Sequence, residues 1–467
     1  MRVTCYTYCL LFLLTPFTGV FAQEFNDSVL SFREYIGYVK KYHPIVKQAN
    51  LEIDMAQAAL MQARGGFDPK IEVDYKAKDF KDKDYYSILK SSFKIPTWYG
   101  IEVKAGFDNS EGIYLNPQNT TPNQGLTSLG ITVPLGQGLF INQRMADVRA
   151  AKVQLQLSDA ERKLQAVNVL YDAAEAYFNW KKSYSETQLY ENYLEYARVR
   201  YNGVLELIEQ GDKPAIDSVE AGITVNNRKL NLAEARLKLA KSKLQLANYL
   251  WINDIPVELE EGITPEENLI LTVPETLSAD VPFTADTVVV TNHPKITALQ
   301  NKITILEIDR RLQANMLLPK VDVGYHYLSE PSAFDNYRFE DYKVGVNFAF
   351  PIFLRKERGK LKLAKLKIQD TRFQLDAERL QLSNKIVAQQ TEITSLGKQK
   401  NIIDTLAASY ATMLEAEERL FSFGESSLFL INTRENRLVS ARISQIDIEN
   451  RYLLSYAELF KILANPD

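Results

Sequence analysis

Cysteine is almost absent from this sequence. The 467 residues include two cysteines, Cys5 and Cys9. Both lie in residues 1–22, which have the order of a secretory signal peptide: Arg2, an apolar centre, then Val20-Phe21-Ala22 as a small-residue cleavage pattern. The apolar centre is too short for an uncleaved membrane anchor. The sequence therefore predicts an exported mature chain without disulfides, cysteine-ligated metals or a lipid-modified cysteine.

Residues typical of catalytic and cofactor sites are also scarce. The chain has three histidines, His43, His293 and His326, and no Gly-rich phosphate loop, zinc-ligand spacing or nucleophile elbow. His43 and His293 each precede a proline, which favours a role in starting a helix over catalysis. The net charge of −4 and pI of about 5.8 give no reason to expect a nucleic-acid partner. We expect no enzymatic activity, no cofactor and no metal.

Long apolar runs are missing from the mature sequence. No segment offers the roughly 20 consecutive apolar residues of a membrane-spanning helix. If the exported chain enters a membrane, it must do so through β-strands.

Proline is absent from residues 352–423, and glycine occurs there only as Gly359 and Gly397. This composition predicts one helix roughly 100 Å long. Its apolar residues form two series with a step of seven, on opposite sides of the helix, which indicates a helix with a neighbour on each side. A helix buried inside a large bundle is the alternative, but charges between the stripes argue against it. The two series are Leu361, Ile368, Leu375, Leu382 and Leu366, Phe373, Leu380, Val387.

The chain contains an internal repeat. Equivalent segments recur at an offset of 250 before the strands and 213 after them, so the first copy has extra residues, mostly between residues 75 and 130. Each half reads as helix, strands, long helix, turn and return helix. The clearest repeated segments are His43-Pro44 with His293-Pro294, residues 67–75 with residues 317–325, and Gly211 with Gly424.

The repeat predicts four divisions of the chain. They are the signal peptide at 1–22, a first structural repeat at 23–251, a connector rich in Pro, Glu and Thr at 252–290, and a second repeat at 291–467. A long helix is expected at about 142–210, with return helices at 215–251 and 427–464. Helices 215–251 and 294–318, placed end to end, have nearly the length of the long helix at 352–423. We therefore expect these two helices to lie end to end, in one column beside the long helices.

Strand segments in both halves alternate strictly between apolar and polar residues. Ile71, Val73 and Tyr75 point to one face of a strand, and Glu72 and Asp74 point to the other face. Residues 321–327 repeat this pattern. Such alternation occurs in soluble sandwiches and in the wall of an outer-membrane barrel. Two strands per half cannot close a barrel, so several chains would have to contribute. The pattern leaves open whether residues 85–107 are barrel strands or an extracellular hairpin.

Together these features resemble the TolC-like outer-membrane efflux proteins. The resemblance is carried by the signal peptide, the duplicated helix–strand–strand–helix unit, the His-Pro openings and the strand ends Val133-Pro134-Leu135 and Phe350-Pro351-Ile352. It implies a mainly α fold with a transmembrane β-barrel portion, and a homotrimer whose helices form an α-barrel tunnel topped by one shared β-barrel. It also implies location in the bacterial outer membrane, with the helices in the periplasm. The implied partners are a periplasmic adaptor protein, an inner-membrane transporter and outer-membrane lipid.

The resemblance implies that the two glycine turns are the periplasmic tips of the tunnel. Some members of that family have acidic residues six and nine places after the second glycine, where this chain has Leu430 and Thr433. This departure favours an apolar entrance over a carboxylate gate, and Asp217 and Glu220 near a helix N-terminus are explained equally well by the helix dipole. The candidate tip and entrance residues are Gly211, Asp217, Glu220, Phe421, Gly424, Glu425, Leu430 and Asn432.

Two functions are consistent with the sequence. The favoured one is an exit duct of a tripartite efflux or type I secretion system, a passive channel powered by an inner-membrane pump. The alternative is an exported coiled-coil scaffold or adhesin without a pore. The matched strand pairs favour the duct, because a scaffold has no need of them.

Overall fold

The computed structural model describes residues 29–260, 262–277, 290–333 and 338–465. The predicted signal peptide at 1–22 lies outside these residues. The helices are α1 (Phe32–Tyr42), α2 (Pro44–Arg64), α3 (Gln143–Glu209), α4 (Ile216–Ala247), α5 (Leu269–Thr276), α6 (Pro294–Asn315), α7 (Arg355–Ser422) and α8 (Leu428–Leu463). The strands are β1 (Val29–Leu30), β2 (Lys70–Asp79), β3 (Asp84–Pro96), β4 (Glu102–Glu111), β5 (Leu126–Pro134), β6 (Trp251–Ile252), β7 (Ile255–Pro256), β8 (Thr264–Pro265), β9 (Lys320–Ser329) and β10 (Tyr342–Ala349).

The long helices form a wall of four columns. Helix α3 packs against α2 and α4 on one side and against α6 and α8 on the other, and α6 and α8 pack in turn against α7. The order across the wall is therefore α2 with α4, then α3, then α6 with α8, then α7. None of the helices in the described ranges combines the length and apolarity needed to cross a bilayer.

The prediction that residues 215–251 share a column with 294–318 is wrong. Helix α4 shares its column with α2, and α6 shares its column with α8. The lengths match equally well for either pairing. The choice is made by the apolar faces, because α2 and α4 both bury theirs against α3.

The two apolar series of α7 have different surroundings within one chain. Leu375 is 8% exposed and packs with Ile296 of α6, whereas Phe373 is 64% exposed. The wall thus ends at α7 in an exposed stripe, the α7 edge stripe (Leu366, Phe373, Leu380, Val387). The other end of the wall has a matching α4 edge stripe (Ile223, Leu230, Leu237, Leu244), also with a step of seven.

The predicted helix-start role of the two His-Pro histidines is confirmed. The Nδ1 atom of His43 accepts a hydrogen bond from the Ile45 N–H at 3.3 Å, and that of His293 accepts one from the Lys295 N–H at 3.1 Å. The opposite nitrogen of His293, Nε2, lies 2.9 Å from the Ile462 carbonyl oxygen. The neutral tautomer with its proton on Nε2 satisfies both contacts of His293.

Protonation of His293 should remove this cap. Burial lowers the pKa of His293, an effect opposed by the Ile462 carbonyl and Glu378 and reinforced by Lys295. The stability that the neutral ring provides is therefore complete above the unfolded-state pKa of about 6.5 and is lost as the pH falls through the lower folded pKa. Loss of a cap costs about 1 kcal/mol.

We expect His293→Asn, which keeps a capping oxygen but does not titrate, to flatten the dependence of the urea midpoint on pH below 6.5. Gln300→Asn is the control, because Gln300 is an exposed residue of the same helix that does not titrate, and it should leave the slope unchanged. An unchanged slope in His293→Asn would contradict the role of the cap.

Six strands form one antiparallel sheet at the end of the wall. Their order is β10-β9-β5-β4-β3-β2, so β3 and β4 extend the sheet that the repeated strands begin. The cross-strand pairs place Tyr75 with Leu89, Phe93 with Ala105, and Ile131 with Tyr325, on one continuous apolar face. Residues 85–107 are therefore strands of the same sheet and not a separate hairpin.

A core of aromatic residues ties the middle of the wall to the connector. Phe32, Tyr177 and Trp180 are fully buried there, and the Tyr177 hydroxyl donates to the Leu30 carbonyl at 2.6 Å. The same hydroxyl accepts from the Glu266 N–H at 3.1 Å. The described part of the predicted connector, 252–290, thus packs onto the helices through β8, which pairs with β1, and through α5.

Candidate functional site at the paired helix turns

The two glycine turns have the same geometry. Gly211 and Gly424 have φ values of +82° and +79°, a region that glycine enters without steric cost. In the first turn the Asp212 N–H donates to the Leu207 carbonyl at 2.9 Å, and in the second the Glu425 N–H donates to the Leu420 carbonyl at 2.9 Å. These bonds define Schellman endings, so each long helix stops within one residue and the chain can turn back.

The two turns lie against each other. The Lys213 ammonium of the first turn lies 5.1 Å from the centre of the Phe421 ring, which belongs to the second. Phe421 is half-buried and packs with Val204, Ala221 and Leu428. Both turns therefore form one tip, at the end of the wall opposite the sheet.

A buried ion cluster joins three helices just behind this tip. Glu435 of α8 is 1% exposed, and its carboxylate lies 2.7 Å from an Arg200 nitrogen and 3.0 Å from an Arg228 nitrogen. Arg228 of α4 is 5% exposed and also donates to the Asn436 side chain at 2.7 Å. Because two guanidinium groups share one carboxylate, Glu435 is the centre of the cluster.

The cluster extends towards solvent through two further contacts. Arg200 of α3 reaches Glu418 of α7 at 3.3 Å, so all four helices near the tip are connected. The Asn432 amide donates to the Glu220 carboxylate at 3.2 Å. Among the predicted site residues the structure thus brings Glu220 and Asn432 together, and it turns both towards the cluster.

Apart from the half-buried Phe421, the other predicted site residues lie on the outside of the tip. Leu430 is 39% exposed, Glu425 is exposed, and Asp217 is half-exposed in the first turn of α4. Phe423 and Phe429 are more exposed than Leu430. The tip therefore presents apolar side chains together with the carboxylates of Asp212, Asp217 and Glu425.

The residues of the ion cluster were not among the predicted site residues, although the sequence contains a signal for them. In the half of α4 nearer the tip the buried positions are Ala221, Val225, Arg228, Leu232 and Ala235, with spacings of four and three. Arg228 thus occupies a core position of a heptad pattern. Glu435 has the same place between Ile431 and Leu438 on α8. A charged residue at such a position requires a buried partner.

The two faces of the sheet have opposite character. Along β2 to β10 one face is apolar, and the other carries Glu, Asp, Lys, Ser and Gly. Residues from the polar face of all six strands, together with residues 118–121 of the β4–β5 loop, line one concavity of about 590 Å³. The apolar face is exposed.

This combination of a one-layer helical wall and a sheet with an apolar outer face defines the outer-membrane channel fold. Solved structures confirm the assignment: the CmeC outer membrane channel of Campylobacter jejuni matches with a TM-score of 0.66 and 14% identity, over 92% of this chain and 85% of that one. The open MtrE channel of Neisseria gonorrhoeae matches with 0.66 and 13%, over 93% and 89%. VceC of Vibrio cholerae matches with 0.64 and 14%, over 92% and 95%.

The family is established by sequence. The model of the outer membrane efflux protein family matches residues 38–250 and 289–465, and the chain belongs to that family. A search of curated proteins finds no significant match. The protein is an outer-membrane exit duct with its helices in the periplasm, and its family is one of passive channels.

Proposed function

We propose that three copies of this chain close into one duct, which a periplasmic adaptor and an inner-membrane pump supply with cargo. The observation that carries the proposal is the pair of exposed edge stripes at opposite ends of the wall. A stripe with a step of seven is the pattern of a helix packed against another helix. Pairing the α7 edge of one copy with the α2 and α4 edge of the next covers both.

The sheet supports the same closure. Its edge strands are β2 and β10, and neither has a second strand partner among the described residues. Long edges of this kind are unstable alone and are satisfied by pairing with the next copy. Three chains with six strands each give an 18-stranded barrel whose apolar face meets outer-membrane lipid.

The dimensions of the two parts agree. Twelve helical columns at roughly 9–10 Å give a circumference of about 115 Å. Eighteen strands spaced about 4.8 Å apart and tilted about 40° also give about 115 Å. The helical tunnel can thus continue into the barrel without a step, which supports all six strands per chain belonging to the wall.

The tip is the entrance in this proposal and the place where the adaptor docks. The chain has no phosphate-binding loop with which to drive transport itself, so a partner supplies the energy. Leu430, Phe423 and Phe429 give the tip an apolar surface, while Asn432 and Glu220 are engaged with each other. An entrance lined by apolar side chains closes by excluding water, without a ring of charge.

Conductance of the purified protein in a planar lipid bilayer tests this function. We expect channels whose conductance depends little on divalent cations or pH in the wild type. Leu430→Asp would place three carboxylates around the axis, where like charges raise one another's pKa and bind cations, so divalent cations and acidic pH should now change the conductance. Thr433→Ala is a neutral control on the same turn.

Other results would contradict the proposal at different levels. Absence of channels would contradict the duct. Strong block of the wild type by divalent cations would contradict only the apolar entrance, and it would assign the gate to Asp217, Glu220 or Glu425.

A further inference from the structure

One row of directly opposed residues on the polar face of the sheet is almost entirely basic. The cross-strand pairs join Lys70 to Lys94, Lys94 to Lys104, Lys104 to Gly130, Gly130 to His326, and His326 to Lys343. The row crosses all six strands and contains four lysines and one histidine. We call Lys70, Lys94, Lys104, His326 and Lys343 the basic ladder.

Gly130 does not interrupt the ladder. A Cβ atom at Gly130 would lie 2.6 Å from Cδ2 of His326, so the imidazole ring extends across the space that the glycine leaves. The basic side chains therefore follow one another along the sheet, with no bulky neutral residue between them.

The basic ladder runs obliquely across the sheet, so that its residues lie progressively further from the helices. Lys70 is the first residue of β2, next to the helices, whereas Lys343 lies six residues from the helix-proximal end of β10. In a barrel with strands tilted about 40°, each step to the next strand rises roughly 3 Å, so five steps rise roughly 15 Å. Three copies would form three parallel tracks that lead from the helical tunnel towards the outer mouth.

Two acidic residues near the ladder are already engaged. Glu72 accepts from Lys94 at 2.5 Å, and Glu102 lies 3.0 Å from Arg144. The rows directly above and below the ladder otherwise hold Ser, Gly, Thr, Pro and Leu, together with Asp341, which lies opposite Leu328 just before β10.

Acids further along the polar face are paired or flank another lysine. Asp74 is paired with Lys76 and Asp322 with Lys320, while Asp74 and Asp108 stand on either side of Lys90. In contrast, Lys104 and Lys343 form no ion pair with any residue in the described ranges. Their charges remain available to a ligand.

The ladder faces the concave side of the sheet. Lys94, Lys104, His326 and Lys343 all line the concavity of about 590 Å³. Side chains on the inside of a curved, water-filled wall tune which ions and solutes pass. Unpaired ammonium groups on such a wall attract anions and repel cations.

From these observations we propose that the basic ladder is a binding track for anionic cargo, whose carboxylate or phosphate groups pass from one ammonium group to the next. The proposal rests on the duct function and assigns it a substrate class. Lys104 and Lys343 are the main contacts. Lys94 contributes less because its ammonium group is paired with the Glu72 carboxylate.

Reversal potentials in a KCl gradient test the proposal in planar bilayers. We expect the double variant Lys104→Gln/Lys343→Gln to lower the chloride-to-potassium permeability ratio at least about twofold relative to wild type, because a trimer loses six lumen charges. Lys104→Glu/Lys343→Glu should lower the ratio further. Lys83→Gln removes a lysine at the outer turn between β2 and β3 and should leave the ratio unchanged.

Block by inorganic triphosphate gives a second readout on the same channels. We expect triphosphate to reduce the wild-type current and to require at least about tenfold higher concentration in the double glutamine variant. All variants share the same entrance, so acidic groups at the tip contribute equally to each.

The outcomes separate the two proposals. Channels with unchanged permeability ratio and unchanged triphosphate block in both double variants would overturn the ladder and leave the duct intact. Protein that forms trimers but no channels in any variant would overturn the duct, and the ladder with it.

Discussion

Glu435→Gln should lower the free energy of unfolding by about 3–5 kcal/mol. The substitution leaves Arg200 and Arg228 beside a neutral amide, and Arg228 is too deeply buried for water to compensate its charge. Breaking a buried ion pair by removing one charge is among the largest effects of single substitutions. The measurement is urea unfolding of the detergent-solubilised protein, followed by helical circular dichroism.

Glu425→Gln is the control, since it makes the same change on an exposed residue of the same tip. It should change stability by less than about 0.5 kcal/mol. If Glu435→Gln lowered the free energy of unfolding no more than this control, the two arginines would have found other partners. The cluster would then not stabilise the tip.

Phe373→Asp and Leu375→Asp should fail at different stages, although the residues are two apart. Leu375 is buried within the chain, so aspartate there should prevent the protomer from folding. Phe373 belongs to the α7 edge stripe, so Phe373→Asp should fold but lose the trimer, with several kcal/mol lost at each of three contacts. Circular dichroism reports folding, and light scattering after size-exclusion chromatography reports the subunit number.

Gln374→Asp introduces the same charge on an exposed side of α7, between the two stripes. It should leave both folding and assembly unchanged. If Phe373→Asp remained trimeric, the α7 edge stripe would not be a subunit contact and the closed wall would need another arrangement.

The sequence was sufficient for the features that depend on local pattern. Helix α7 was expected at 352–423 and runs from Arg355 to Ser422, and α3 was expected at about 142–210 and runs from Gln143 to Glu209. Both helices lack proline and end at a glycine that can adopt positive φ, so their bounds are fixed within the segment itself. The two opposed apolar stripes of α7 could be predicted for the same reason, because they lie within one segment.

Features that depend on which distant segments pack together could not be predicted from the sequence. The pairing of α4 with α2 rests on faces that match α3, and helix length does not distinguish it from the pairing that we expected. Strands β3 and β4 alternate in the same way whether they form a separate hairpin or a wall, and only the register of Phe93 with Ala105 and Ile71 places them in the sheet.

The ion cluster lies between these two cases. Arg228 and Glu435 each stand at a core position of a heptad, which shows from sequence that each needs a buried partner. Their separation of 207 residues means that only the packed structure shows the partner to be shared. The tip residues Glu220 and Asn432 were predicted from the family resemblance of the two glycine turns, but their mutual hydrogen bond follows from the same packing.

Covalent linkage across the proposed subunit contact tests the central claim most directly. Within one chain the carboxylate of Glu161 on α3 interacts with the ammonium group of Lys302 on α6, and the repeat makes this contact equivalent to residue 52 of α2 against residues 374–378 of α7 in the next copy. One residue back along α2 and one forward along the antiparallel α7 bring Leu51 level with residues 375–379, next to Leu380. Both leucines are exposed in the single chain, at 56% and 64%.

The chain has no cysteine after Cys9, so after removal of the predicted signal peptide Leu51→Cys/Leu380→Cys would carry the only thiols. Treatment of the membrane-inserted double variant with a short bismaleimide should give a covalent trimer on a denaturing gel, and neither single variant should. A double variant that stays monomeric on the gel, or that forms polymers beyond the trimer, would contradict a closed duct of three chains.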